Sequence, residues 1–216
     1  MGIETEEIIG GADGPTTIFL LDKSKEPTFR QRMQSRITRI KRYFIAKRIH
    51  PGTHSLEELG EYLVSRYGFV EADMSDPQVI EEYEQLRVSL LFEHRPDLVG
   101  EPCFPSIDDI EDTEAVLRMM DEATKKNQEK ADSIAREVFD LDFHKYVKTE
   151  KNAENMMDVT IERNAGYIGD GASGSKSFIR KSNKIMKDAY LYYGVSEEDI
   201  RTNSQRYKDL LVQLSM

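Results

Sequence analysis

Asp140, Asp142 and His144 alternate along the chain, a spacing that sets three ligating or acid–base groups on one face of a strand. Such a set could gather a cation, and a solvated strand face carries the same pattern. Further on, Gly169-Asp170-Gly171-Ala172-Ser173-Gly174-Ser175-Lys176-Ser177 has the composition of a phosphate cradle. A P-loop needs its lysine directly after the last glycine, and here Ser175 intervenes. What remains is a glycine-rich loop leading into a helix. Gly171, Gly174, Ser175 and Lys176 could bind an anion there through backbone N–H groups and one ammonium, with Asp170 working against it. His50 and His54 are four apart, but Pro51-Gly52 forbids the helix that would align them. Cys103 sits in Glu-Pro-Cys-Phe-Pro with no neighbouring base to activate it. There is no Ser-His-Asp order with a nucleophile context, no zinc spacing, no dinucleotide fingerprint and no internal repeat. The sequence therefore names no catalytic residue, no cofactor and no metal.

Charge is more informative. The 216 residues carry a net charge of −10, which argues against a general nucleic-acid binder. Yet residues 29–49 hold eight basic side chains and no acid: Arg30, Arg32, Arg36, Arg39, Lys41, Arg42, Lys47 and Arg48. Phe29, Met33, Ile37, Ile40 and Phe44 fall at helical spacing within the same segment. This predicts a basic amphipathic helix ended near His50-Pro51-Gly52. Three uses compete for it. Its basic face could pair with the acidic run Asp108, Asp109, Glu111, Asp112 and Glu114 of the same fold. It could dock an acidic protein through Arg32, Arg36, Arg39 and Arg42. It could touch nucleic acid or a membrane surface.

Near its start the chain carries Gly10-Gly11-Ala12-Asp13-Gly14-Pro15-Thr16. This heptamer resembles a signature of the β subunits of sodium ion-translocating decarboxylases. In that family the aspartate of the motif is implicated in the ion path, and Asp13 matches it. The resemblance covers residues 8–21. A β subunit is expected to have many spanning helices, each about 20 apolar residues long. The longest apolar run after the motif here is residues 18–21, so the resemblance implies kinship by motif, without transport. With this leader and Leu191-Tyr192-Tyr193-Gly194 near its end, the whole chain is similar to soluble clostridial-type proteins that carry that subunit's name. In its own right the segment reads as a β-hairpin, residues 7–10 and 16–21 flanking an Ala-Asp-Gly-Pro turn.

Most other segments read as helices. Ser55 with Glu58 forms a capping-box pattern before a helix ending at Gly68. Asp76-Pro77 starts another that runs to His94. Residues 95–107, with three prolines, read as a connecting loop and a weak internal boundary. A long helix is expected over residues 112–139, with a polar stretch at 124–130. Residues 142–163 read as a second β-hairpin, which could join the first in one antiparallel sheet. After the glycine-rich run comes a helix with Phe178, Ser182, Ile185, Ala189 and Tyr193 inward and Gly194 as its stop. Ser196 with Asp199 caps a last helix.

These readings predict a single α+β domain over residues 1–216, mostly helical with a small antiparallel sheet. The single Cys103 rules out an internal disulfide framework and suits a reducing cytoplasm. The function expected is that of a non-catalytic protein-binding or regulatory protein. The alternative is a small-molecule or anion-binding enzyme built on residues 169–177.

Overall fold

The computed structural model describes residues 4–5, 20–21, 29–105, 113–150 and 154–215. In chain order the elements are β1 (Glu4–Thr5), β2 (Leu20–Leu21), α1 (Phe29–Ala46), β3 (Gly52–Thr53), α2 (Leu56–Tyr67), β4 (Val70–Glu71), α3 (Pro77–His94), α4 (Pro96–Val99), α5 (Thr113–Asp132), β5 (Phe143–Thr149), β6 (Met156–Glu162), β7 (Tyr167–Ser173), α6 (Lys176–Tyr193), β8 (Gly194–Val195), α7 (Glu197–Thr202) and α8 (Gln205–Ser215). The fold is α+β, mostly helical with small antiparallel sheets. The chain forms two compact units, one from residues 1–25 and 73–143 and one from residues 26–72 and 144–216.

The first unit holds the β1–β2 pair and helices α3 to α5. The Asp76 carboxylate accepts the Gln78 N–H at 2.9 Å and Pro77 supplies the first turn of α3. The proline-rich segment is not all loop, because Pro96 opens the one-turn helix α4. Leu91, Val99 and Ala131 form a small core, packed by Val88, Phe92, Leu98, Ile134 and Phe139. Helix α5 runs unbroken through its polar stretch and ends at Asp132, short of the expected residue 139. Arg87 explains how the chain leaves it. Its guanidinium, 2% exposed, donates to the carbonyls of Ala131, Ile134 and Phe139 at 3.3, 2.6 and 2.9 Å.

The second unit is built on the sheet β4-β5-β6-β7. The expected second hairpin is present as β5 and β6; residues 7–10 and 16–19 of the expected first hairpin lie outside the described residues, and Glu4–Thr5 pairs with Leu20–Leu21 in a separate two-stranded sheet. The glycine-rich run is not a loop either. It forms most of β7, with Glu162 opposite Tyr167, Thr160 opposite Gly169 and Asp158 opposite Gly171. Side chains alternate along β6, so Met157, Val159 and Ile161 share one face and are fully buried. They meet Leu59 and Leu63 of α2, Ile185, Met186 and Ala189 of α6, and Leu210 of α8. Capping chemistry fixes the helices around this core. Ser55 and Glu58 close a reciprocal capping box on α2, and Gly68 ends it in a left-handed conformation. Ser196 and Asp199 do the same for α7. The last helix is two pieces, because Asn203 turns left-handed (φ 53°) between α7 and α8.

Candidate docking surface

Helix α1 belongs to the second unit and runs beside α8. Ile45, Ala46 and Ile49 are half-buried, and Ile49 packs onto the main core. At about 100° per residue Ile45 and Ala46 lie on the side of the helix cylinder away from the apolar stripe, and Ile49 follows in the turn after the helix. The stripe is therefore turned outward. Met33, Ile37, Ile40, Tyr43 and Phe44 are 45–58% exposed.

The cations frame that stripe. Arg36 and Arg39 lie along one edge and Lys41 along the other, all exposed. Arg42, also exposed, sits further round the helix. Lys47 lies over the Tyr43 ring at 4.4 Å, and Tyr43 meets Phe44 edge-on at 5.7 Å. Among the described residues no carboxylate forms an ion pair with Arg36, Arg39, Lys41 or Arg42. The side chain of Arg32 and the acidic residues 108–112 lie outside the described residues, and the pairing expected with that acidic run lies there with them. The segment from Gly10 to Pro15, with Gly11, Asp13 and Gly14, also lies outside them.

The anion-binding set is placed differently from a cradle. Gly171 is inside β7, and Asp158 Oδ1 lies 2.8 Å from where a β-carbon on it would sit. Gly174 (φ 133°) packs against Asn155, whose Oδ1 accepts the Ser175 N–H at 2.9 Å. The Ser175 hydroxyl accepts the Phe178 N–H at 3.2 Å, and Lys176 is the first residue of α6. Two of the donors that would greet an anion are thus held by the chain's own side chains.

The acid–base candidates resolve into structural pairs. Asp140 precedes β5 and accepts the Tyr83 hydroxyl at 2.5 Å, a bond that holds its carboxyl below the usual range. Burial and the same bond push Tyr83 up to about 12. His144 Nδ1 meets Glu71 Oε1 at 2.6 Å across β4 and β5. His54 Nδ1 meets the Tyr192 carbonyl at 2.6 Å, and its ring stacks on Tyr192, which stacks on Tyr62. Among the described residues no group of three or more His, Cys, Asp or Glu could hold a metal ion. The half-buried Cys103 is bracketed by the Asn127 side chain, which accepts from its N–H and donates to its carbonyl.

Sequence periodicity found the α1 stripe but not its outward direction. It also missed the shared carboxylate of Asp188, which accepts the hydroxyls of Tyr62 and Tyr67 at 2.5 and 2.6 Å and locks α2 to α6. Burial and that bond push Tyr67 up to about 12, the pattern of a proton held in place rather than exchanged. No signal in one sequence pairs residues 62, 67 and 188.

Compared with protein families, curated proteins and solved structures, the chain finds no match. Among the described residues no helix is long and apolar enough to cross a membrane. The molecule is thus defined by its own features: an α+β protein that holds a basic amphipathic helix with its apolar stripe outward.

Proposed function

We propose that this chain is a non-catalytic binding protein, regulatory in effect, that docks through the outward face of α1 onto an acidic protein surface. One observation carries the reading: five large apolar side chains of α1 stay about half exposed between exposed cations. Their open area is roughly 500 Å², near the top of what a monomer's largest patch reaches. Arginine, tyrosine, phenylalanine and methionine are the residue types that interfaces favour. Met33, Ile37, Ile40 and Phe44 repeat at the spacing by which a helix enters a groove. The cations at the edges then meet carboxylates on the groove's rim, steering the encounter and fixing register. Two α1 helices stripe to stripe would set like charges against each other, so the receiving surface is acidic. The single thiol, Cys103, fits action in the cytoplasm.

Affinity capture tests this, with nuclease-treated lysate and the triple variant R36E/R39E/R42E beside the wild type. The expected result is one stoichiometric protein that the triple variant loses and an R201E variant keeps. Identical captures by all three chains would overturn the reading.

A further inference from the structure

The second unit carries a face that complements α1. Helix α2 buries Leu56, Leu59, Gly60 and Leu63 and turns Glu57, Glu58 and Glu61 to solvent. Val64, 43% exposed, lies beside these acids on the same helix, and Val70, 70% exposed, follows on β4 with exposed Glu71. An acidic ridge with apolar residues therefore stands in the same unit as a basic ridge with apolar residues. The net charge is segregated to match, since removing the eight cations of residues 29–49 leaves −18 on the remainder.

We infer that the acidic surface received by α1 is the α2 ridge of a second copy of this chain. The inference rests on the docking role proposed for α1. Two copies exchange the contact: α1 of each lies on α2 of the other, with Arg36 and Arg39 facing Glu57 and Glu61. Self-complementarity of this kind is what a two-fold interface requires, residue i meeting j while j meets i. Exchanging both stripes and their receiving faces brings the buried area toward the roughly 1,600 Å² of a standard interface. Charge supplies the selectivity, because the alternative pairing of α1 on α1 sets basic edges against each other.

Sedimentation velocity on the full chain tests it with two charge-reversed variants, R36E/R39E/R42E and E57K/E61K. Glu58 is left in place because it closes the capping box of α2. All the changed side chains are exposed, and circular dichroism checks that each variant keeps its helices. The wild type is expected to be dimeric at low salt and to dissociate as salt rises, its contact charges being screened within about 10 Å at 0.1 M. Each variant alone is expected to weaken self-association by more than about tenfold. The two variants mixed are expected to recover a heterodimer, since each reversed ridge then meets an opposite one. A monomeric wild type would overturn the inference, as would a dimer that neither variant disturbs or a mixture that stays monomeric. A monomeric wild type that still captures a different protein through Arg36, Arg39 and Arg42 would overturn the self-contact and leave the docking role standing. A monomer that captures nothing would remove both.

Discussion

Arg87 shows how one side chain can end a helix. Three carbonyls at the end of α5 and in the turns after it converge on its buried guanidinium. Replacing Arg87 with Met fills the space and leaves those acceptors without their charged donor. The expected cost is about 2–4 kcal/mol, read as a lower midpoint in urea; a loss below about 1 kcal/mol would mean water replaces the guanidinium. Asp170 works in the opposite direction. Burial and the neighbouring Asp158 raise its carboxyl above the usual range, against the hydrogen bond from Gln213. A carboxyl whose folded pKa is raised favours folding in its protonated form. Its contribution is fully present below the unfolded value and is lost as pH rises through the folded one. Asp170→Asn keeps an acceptor for Gln213 and carries no charge. It is predicted to stabilise by a few tenths to about 1 kcal/mol at neutral pH, with the gain fading toward pH of about 4. Denaturation at both pH values measures this, and a gain that grows in acid contradicts it.

At the scale of elements, Gly194 is the tightest junction. It ends α6 with φ 61° and opens β8, and a β-carbon there would sit 1.9 Å from the Gly52 carbonyl oxygen on β3. Gly194→Ala is predicted to cost more than about 2 kcal/mol and to part β3 from β8, because both backbone conformation and contact forbid the methyl. Hydrogen exchange of the His54 amide, which bonds to the Tyr193 carbonyl beside this junction, reports it; unchanged protection counts against the junction's role. The stop at Gly194 was legible in the sequence, as were the starts at Ser55, Asp76 and Ser196. Each start is local chemistry, in which a side chain bonds a backbone group two or three residues away, and the stop is a glycine whose positive φ ends the helix. Strand β7 was not legible, because Gly169, Gly171 and Gly174 resemble a loop until the pairing with β6 is known. The break at Asn203 was hidden for a similar reason, since Ile200, Tyr207, Leu211 and Leu214 continue an apolar pattern across it. For α1 the periodicity revealed a stripe, but periodicity cannot say whether a stripe turns toward a core or away from it.

At the scale of the whole molecule, a polar and acidic chain sets an acid-free run of cations and a large exposed apolar patch on one helix. Neutralising the stripe without touching its charges separates the two contributions. Ile37→Ser with Ile40→Ser is predicted to leave the thermal midpoint within about 2 °C, because neither side chain is buried in the fold. The same pair is expected to abolish docking, whose affinity depends on filling an apolar groove. A large fall in the midpoint would show the stripe to be packed within the chain. The most direct measurement is photo-crosslinking in the cell, with a benzophenone side chain at position 40 and, as control, at Leu117, which is equally exposed on α5. Discrete protein adducts from position 40, lost when Arg36, Arg39 and Arg42 are reversed and absent from position 117, are the predicted result. Position 40 yielding no protein adduct would contradict α1 as the docking element.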